Sequence, residues 1–177
     1  MRILHTSDWH LGRTLHGVDL AAAHAAYFDH LVSTVRDERV SAVLVAGDIY
    51  DRALPSVESV ALLEDVLLRL TAITRVVITP GNHDSATRLG FGSALFRDRL
   101  SIRSRLADAA TPIMIPDDAG GDCLWVYAVP YLDPDTTRHT RFSVPAASAC
   151  AAASGRASTP RPAANVASAA HRSRGAD

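Results

Sequence analysis

The sequence predicts a layered α/β fold, and the alternation of two kinds of segment in its N-terminal half carries this prediction. Three short segments rich in apolar and β-branched residues, at 2–6, 40–46 and 75–79, are separated by two stretches with apolar residues at helical spacing. The middle segment is apolar except for Ser41, which is typical of a strand buried on both faces by helices. Strand, helix, strand, helix, strand is the usual order of elements in such a domain.

The first predicted strand and helix lie before residue 39. The strand ends where the polar pair Ser7-Asp8 begins, and the helix spans about 20–38. The helix has one apolar face, which is expected to pack on the core. The residues of this face are Leu20, Ala23, Tyr27, Leu31 and Val35.

The second predicted helix begins at Pro55-Ser56, where the Ser56 hydroxyl can cap the first turn. Its predicted inward residues are Val57, Val60, Leu63, Leu67 and Leu70. The strand at 75–79 follows and stops at Pro80-Gly81. The remaining predicted elements are a helix capped by Asp84-Ser85 that reaches about residue 99, and strands at 112–115 and 124–130.

The composition is that of a globular protein. With 177 residues, 47% of them hydrophobic and 21% charged, the chain is long enough for one domain with a substantial core. Its apolar stretches are too short to span a membrane, and its first residues lead into a strand and a polar site rather than a signal peptide. Cys123 and Cys150 lack a metal-type spacing and are expected to be reduced thiols. We therefore expect a cytoplasmic protein with no membrane association.

The charge is distributed unevenly along the chain. All 18 basic residues are Arg, and residues 1–141 carry a net charge of −4 whereas residues 142–177 carry +3. The N-terminal part therefore lacks the basic excess of a typical stand-alone DNA-binding domain.

The composition changes abruptly at about residue 142. The last 36 residues contain 13 Ala, 6 Ser, 4 Arg and 3 Pro but no Leu, Ile, Met, Trp or Tyr. No helical or strand period is present there, and the apolar surface is too small to offset the entropy of ordering. We predict a domain over 1–141 and a disordered or out-of-frame tail over 142–177. A natural flexible tail is the alternative to a gene read in the wrong frame.

Polar residues follow each of the three predicted strands. Asp8 and His10 come after the first, Asp48 after the second, and Asn82 and His83 after the third. Because Asp8 and His10 are two apart on an extended segment, they would point the same way, and one metal ion can take both. The two oxygens of Asp48 allow it to bridge two ions, and Asn82 offers an amide oxygen to the second. His83 would then be free to face a phosphate.

Each of these residues alone has a plainer explanation. Asp8, Asp48 and Asn82 are also common turn residues, and an isolated His10 is more often a surface histidine than a ligand. Their shared position at strand ends makes coincidence a poor explanation. A mixed set of imidazole and oxygen ligands suits Mn, Fe or Zn better than Mg or Ca. Two such ions, about 3.5–4 Å apart, can activate water and stabilise the charge that grows on phosphorus.

The three motifs resemble those of the calcineurin-like metallophosphoesterase superfamily. Within it the chain is similar to the SbcD-type family, the nuclease subunits of bacterial SbcCD complexes, and the likeness covers residues 1–141. The segments that carry this likeness are 5–12, 47–51, 81–85, 88–93 and 129–133. The resemblance therefore implies a calcineurin-like sandwich that is incomplete on its C-terminal side.

The resemblance implies a role for each motif residue. The metal ligands would be Asp8 and His10 for the first ion, Asp48 as a bridge, and Asn82 for the second ion. His83 would stabilise the transition state or protonate the leaving oxygen, with Asp84 as its orienting partner. Archaeal and eukaryotic relatives often carry a histidine at the position of Asp51, so the role of that histidine cannot be transferred to Asp51.

The resemblance also implies an activity and partners. It implies a nuclease that uses two divalent ions, Mn above all, as a double-strand exonuclease and a single-strand or hairpin endonuclease. Such an enzyme works in DNA repair, recombination and replication. It would act on DNA as a homodimer together with an SbcC-type ATPase that has long coiled coils.

The chain departs from the family pattern near residue 141. A later lone histidine and a Gly-His-x-His motif, which supply further ligands in the family, have no counterpart in this sequence. The second ion would keep only Asp48 and Asn82, and two ligands in water bind a divalent ion weakly. We therefore expect a truncated or frameshifted product that is weakly active or inactive.

Two other functions are compatible with the sequence. The first is a different calcineurin-like phosphoesterase, such as a protein phosphatase or a phosphodiesterase. Ala53 stands where phosphatases of this type carry a glycine after their Asp-Arg pair, which argues against a phosphatase. The second is a non-catalytic fragment that only dimerises or binds one metal ion weakly.

Overall fold

The computed structural model describes residues 1–96, 99–117, 123–137 and 164–167. Strands and helices alternate through the first half of the chain, as the sequence predicts. The elements in chain order are β1 (Ile3–Thr6), β2 (Thr14–Leu15), β3 (Val18–Asp19), α1 (Ala21–Asp37), β4 (Ala42–Ala46), α2 (Val57–Ile73), β5 (Arg75–Thr79), α3 (Ala86–Leu89), β6 (Leu100–Ile102), β7 (Ile113–Ile115), β8 (Leu124–Val129), α4 (Pro134–Thr137) and β9 (Ala164–Ala167).

The strands form a main parallel sheet, a smaller second sheet and a hairpin. The main sheet has the order β1-β4-β5-β6, and all of its neighbours are parallel. In the second sheet β7 pairs antiparallel with β8, and β8 pairs parallel with β9. β2 and β3 form a short antiparallel hairpin. This mixed α/β architecture, with helices and a parallel sheet, confirms the predicted fold class.

The main sheet is buried on both faces. Val43 and Val45 of β4 belong to a core shared with α1 and α2, whereas Ala42, Leu44 and Ala46 pack in a second core with β7 and β8. Successive strand residues point to opposite faces, so both sets must be apolar when both faces are covered. The structure thereby explains the continuous apolar run that predicted a doubly covered strand.

The parallel arrangement brings three loops to one edge of the main sheet. β1, β4 and β5 are consecutive neighbours and run in the same direction, with Thr6 opposite Val45 and Ala46 opposite Thr79. The carboxyl ends of parallel strands meet at one edge, which is where α/β proteins bind their ligands. The three polar motifs begin directly after these ends.

The predicted core faces of the two long helices are correct in part. Leu31, Val35, Leu63 and Leu70 are buried. Four of the expected inward residues are exposed instead: Ala23, Tyr27 at 41%, Val57 at 81% and Val60 at 46%.

In α2 the buried stripe begins at Ser59 instead. Its hydroxyl lies 3.1 Å from that of the N-cap Ser56 and is thereby satisfied, and it also lies close to Gly12. A serine can lie at an inward position when its hydroxyl is hydrogen-bonded, but a search for apolar periodicity does not detect it. The predicted inward face of α2 was therefore wrong at the N-terminal end of the helix.

The predicted third helix is much shorter than expected. Ser85 caps it, with its hydroxyl accepting the N–H of Arg88, but α3 ends at Leu89 rather than near residue 99. Gly92 adopts a left-handed φ of 71° and leads into a 3₁₀ turn at Ser93–Leu95. Glycine takes this conformation without steric cost, and it ends the helical path. The chain then forms β6, a fourth strand that was not predicted from the sequence.

The end of the chain is described only in part. The predicted domain boundary at residue 141 lies outside the described residues, as does the predicted tail apart from 164–167. Those four residues form β9 beside β8, where the composition predicted no strand. Among the described residues, no helix has the length and apolar character needed to cross a membrane.

We predict that Phe28→Ala lowers the free energy of unfolding by about 3–5 kcal/mol, the usual cost of truncating a buried aromatic ring. Phe28 is fully buried in α1, and its ring meets the ring of Trp9 edge-on at 4.8 Å between centroids. Urea unfolding followed by circular dichroism measures the change. The matched control is Leu68→Ala in α2, because Leu68 is 66% exposed and should cost less than about 0.5 kcal/mol. Equal losses in the two variants would contradict the described core.

Candidate metal centre

Backbone hydrogen bonds join the loops after β1, β4 and β5. The N–H of Asp8 donates to the carbonyl of Gly47 at 3.1 Å, and the N–H of His10 donates to the carbonyl of Asp48 at 2.9 Å. The N–H of Gly47 donates in turn to the carbonyl of Thr79 at 3.0 Å. The three motifs are therefore held side by side by their main chains, before any side chain takes part.

The carboxylate of Asp84 adds a second connection between the loops after β4 and β5. Its Oδ2 accepts the N–H groups of Ile49 at 3.0 Å and Gly81 at 2.8 Å, and its Oδ1 accepts the N–H of Tyr50 at 2.9 Å. Hydrogen bonds to an ionised acceptor are stronger than neutral ones. One side chain thus satisfies three loop N–H groups and fixes the separation of the two loops.

Asp48 lies directly against the loop of Gly81. Its Oδ1 accepts the N–H of His83 at 3.0 Å. A Cβ atom built on Gly81 would lie 2.1 Å from the same oxygen and 2.3 Å from the nitrogen of Asp48. The close approach of the two loops therefore requires a glycine at this position.

Three of the predicted ligands have an unusual backbone conformation. Asp8, His10 and Asp48 have φ values of 57°, 46° and 49°, in the left-handed region. This region is uncommon for residues other than glycine, and such strain tends to persist at functional sites because the surrounding structure enforces it. Among the described residues, five non-glycine residues have a positive φ; three of them are these predicted ligands, and the other two are His16 and Arg39.

The side chains of the motifs converge on His10. Its Nε2 atom lies 3.9 Å from Oδ1 of Asp8 and 3.9 Å from Oδ2 of Asp48. One possible ligand atom from each of His10, Asp48 and His83 lies within 4.8 Å of the others, and the two imidazole rings meet edge-on at 4.9 Å between centroids. The side chains of His10 and Asp48 are 15% and 13% exposed, whereas that of Asp8 is 66% exposed. The cluster is thus open to solvent on one side.

The residues present fit a divalent cation. Both 3.9 Å separations at His10 are too long for a hydrogen bond. Protein nitrogen and oxygen atoms bind transition metals at about 2.0–2.2 Å, so two ligand atoms of the same ion lie about 3–4 Å apart. The two separations at His10 match this spacing. Imidazole and carboxylate are also the donor types that such ions prefer.

Asn82 is the predicted ligand that the structure connects least to the others. It is exposed, and it lies between Gly81, which packs on Asp48, and His83, which donates to Asp48. The structure therefore brings Asp8, His10, Asp48 and His83 together and leaves Asn82 at the rim of the cluster.

The expected role of Asp84 as the orienting partner of His83 is wrong. Both carboxylate oxygens of Asp84 are engaged by backbone N–H groups of the two loops. Instead, the Nδ1 atom of His83 lies 2.9 Å from the backbone carbonyl oxygen of Asp51. Asp84 positions the loops, and a main-chain carbonyl positions the imidazole.

Sequence reasoning left two residues of this region without a role. Asp51 has its Oδ1 atom 3.4 Å from Nδ1 of His10, and its position in the same short motif as Asp48 was the available signal. His24 of α1 packs beside the backbone of Trp9, and burial lowers its pKa. His24 therefore lies beside the first motif.

Strand-end loops that gather imidazole and carboxylate groups around one open cluster fit the class of the metal-dependent phosphoesterases. The model of the calcineurin-like phosphoesterase family matches residues 1–137, and the chain belongs to this family. It is therefore a hydrolase by family, and the family implies divalent metal ions, for which the cluster of His10, Asp48 and His83 is a possible site.

The chain is also similar to a particular protein. The chain is 36% identical over 118 residues to a protein from Staphylococcus saprophyticus that is named as the SbcD subunit of the nuclease SbcCD. The match covers 65% of this chain and 31% of the relative, so the chain spans about a third of the length of that protein.

We predict that Gly81→Ala separates the two loops and weakens Mn²⁺ binding. The added Cβ would overlap Asp48, and relieving such an overlap typically costs about 1–3 kcal/mol of stability. Thermal unfolding and calorimetric Mn²⁺ titration measure the two effects. Gly17→Ala is the control, because no atom lies within 4 Å of the added Cβ there, although its positive φ of 80° adds local strain in the turn between β2 and β3. Unchanged Mn²⁺ affinity in Gly81→Ala would contradict the described loop contact.

We predict that Tyr50 destabilises the fold as the pH rises from about 10 to about 12. Burial, with a further contribution from the charge of Asp84, raises its pKa to about 12. The unfolded chain loses the phenolic proton first, so the folded state loses stability over this interval. Tyr50→Phe should lose less stability there, and it should remove a phenol that ionises at about pH 12 from an absorbance titration. Identical alkaline unfolding of the two proteins would contradict the prediction.

Proposed function

We propose that this chain is a metal-dependent nuclease subunit that hydrolyses phosphodiester bonds in DNA. The observation that carries the proposal is the cluster of His10, Asp48 and His83, whose ligand atoms lie within 4.8 Å of one another in a calcineurin-like phosphoesterase domain. The name of the relative, a subunit of the SbcCD nuclease, supports DNA as the substrate.

Two divalent ions, with Mn as the proposed metal, would be held by the motif residues. Asp8, His10 and Asp48 would bind the first, and Asp48 and Asn82 the second. Bound ions of this kind supply an activated water and positive charge at the phosphate. The 15% exposure of His10 and the open side at Asp8 support a site that is sheltered from most solvent yet accessible to a DNA backbone.

His83 is proposed to act on the substrate phosphate. A carbonyl oxygen can only accept, so the contact of Nδ1 with the carbonyl of Asp51 requires a proton on Nδ1. The Nε2 atom remains to face the phosphate. When the imidazole is doubly protonated, Nε2 can donate a hydrogen bond to the negative charge or a proton to the leaving oxygen.

An assembly with other subunits is also proposed. The relative is named as one subunit of a nuclease, which supports an SbcC-type ATPase partner. Large apolar side chains on α2 and after α3 are exposed, and exposed apolar surface is compatible with a homodimer interface. They are Val57, Leu68, Phe91 and Leu95. The net charge of −4 over residues 1–141 fits DNA held jointly with such partners.

The proposal includes the cellular role and the organisation of the chain. DNA repair, recombination and replication in the cytoplasm are the processes in which such a nuclease would act. Residues 1–141 would form the nuclease domain, and residues 142–177 would contribute no ligand to either ion. We expect a low turnover for this chain, because only Asp48 and Asn82 are proposed to hold the second ion.

We predict that the chain cleaves a labelled DNA hairpin in the presence of Mn²⁺, and that His83→Gln reduces the rate about 10²–10⁴-fold, the usual contribution of an acid–base group. The control is His30→Gln, because His30 is exposed on α1 away from the motifs. A chelator should abolish cleavage. Hydrolysis of a phosphopeptide without any cleavage of DNA would contradict the proposal and favour a phosphatase, and an unchanged rate in His83→Gln would contradict the role of the imidazole.

A further inference from the structure

Asp51, at the end of the second motif, contacts both of the other motifs. Its backbone N–H donates to the carbonyl of Leu11 at 3.1 Å, next to the first motif. Its backbone carbonyl accepts from Nδ1 of His83 at 2.9 Å, and its carboxylate Oδ1 lies 3.4 Å from Nδ1 of His10. The two imidazoles of the cluster therefore have the same residue behind them, one facing its main chain and the other its side chain.

The geometry around His10 assigns a different task to each ring nitrogen. Nε2 faces Asp8 and Asp48, where it needs a free lone pair to bind a cation. Nδ1 is buried, and within the described part of the chain it completes no hydrogen bond. The Asp51 carboxylate at 3.4 Å is thus an acidic group close to a buried nitrogen that must carry the proton if Nε2 is to bind a metal.

The arginines near Asp51 do not account for its position. Arg13 lies 3.8 Å from Oδ1 and is 49% exposed, and Arg52 lies 4.0 Å from Oδ2 and is 82% exposed. Exposed ion pairs at such distances contribute little free energy. The Asp51 side chain is itself only 20% exposed, and it faces the imidazole of His10, whose side chain is 15% exposed. The contact with His10 is thus the more sheltered one.

We propose that Asp51 is a positioning residue that sets the proton on His10. Its carboxylate holds the proton of His10 on Nδ1 and leaves Nε2 for the metal, whereas only its backbone carbonyl faces Nδ1 of His83. A carboxylate behind a ligating imidazole fixes the ring and raises its basicity. This inference rests on the proposed metal site, but its first test needs neither metal nor substrate.

The first test is the tautomer of each imidazole in the metal-free full chain, measured by long-range proton–nitrogen correlation NMR. The two signals are assigned with His10→Gln and His83→Gln. In the wild type both rings should carry the proton on Nδ1. In Asp51→Asn the preference of His10 should be lost, whereas that of His83 should remain because the substitution keeps the backbone carbonyl. Asp65→Asn, on the exposed side of α2, should match the wild type at both rings.

The second test is calorimetric titration with Mn²⁺ of the same proteins. Asp51→Asn should bind its tightest ion about 10–100-fold more weakly, the usual cost of losing a partner behind a metal ligand. Asp51→Glu keeps a carboxylate and should lie closer to the wild type in both tests, which also separates the proposal from a general loss of folding. Asp65→Asn should bind as the wild type does.

Three outcomes would overturn the proposal. One is a wild-type His10 that carries its proton on Nε2 in the metal-free chain, and another is a His10 preference that survives in Asp51→Asn. The third is an Asp51→Glu protein that matches Asp51→Asn in both measurements, since that would show a purely steric role. If the chain cleaves no DNA but the tautomers behave as expected, the nuclease proposal fails and the positioning role of Asp51 stands.

Discussion

The three hydrogen bonds accepted by the carboxylate of Asp84 are the interaction on which the site depends. They come from backbone N–H groups of two different loops, those of Ile49, Tyr50 and Gly81. Strand ends in a parallel sheet lie side by side, but this alone does not decide how closely the loops beyond them approach. With Asp84 between them, the loops after β4 and β5 form one unit, and Asp48 is held against the loop that carries His83. The cluster follows from this fixed separation.

The same loops concentrate negative charge around one imidazole. Carboxylate oxygens of Asp8, Asp48 and Asp51 lie 3.9, 3.9 and 3.4 Å from nitrogens of His10. Carboxylates gathered in this way repel one another, and a divalent cation among them offsets the repulsion. The left-handed backbone of Asp8, His10 and Asp48 adds conformational strain at the same place. Both features fit the possible cation site that the family implies at this cluster.

The strands and the chemistry of the motifs could be predicted from the sequence because they depend on local patterns. The apolar run of β4 implied coverage on both faces, and polar residues after three such strands implied a common site. The task of Asp84 could not be predicted, because a carboxylate beside a histidine in sequence need not contact it in space. Ser59 can point inward because its hydroxyl pairs with that of Ser56. The helical path ends before Gly92 because this residue has a left-handed φ. Neither leaves a periodic signal.

We propose that the loops joined by Asp84 form one cation site around His10. An anomalous difference map from a crystal of the chain soaked in Mn²⁺ would locate the ion. We expect the strongest peak at coordination distance, about 2.0–2.2 Å, from Nε2 of His10 and from carboxylate oxygens of Asp8 and Asp48. A strongest peak away from these three residues, or an ion bound to Nδ1 of His10 after the ring has turned, would contradict it.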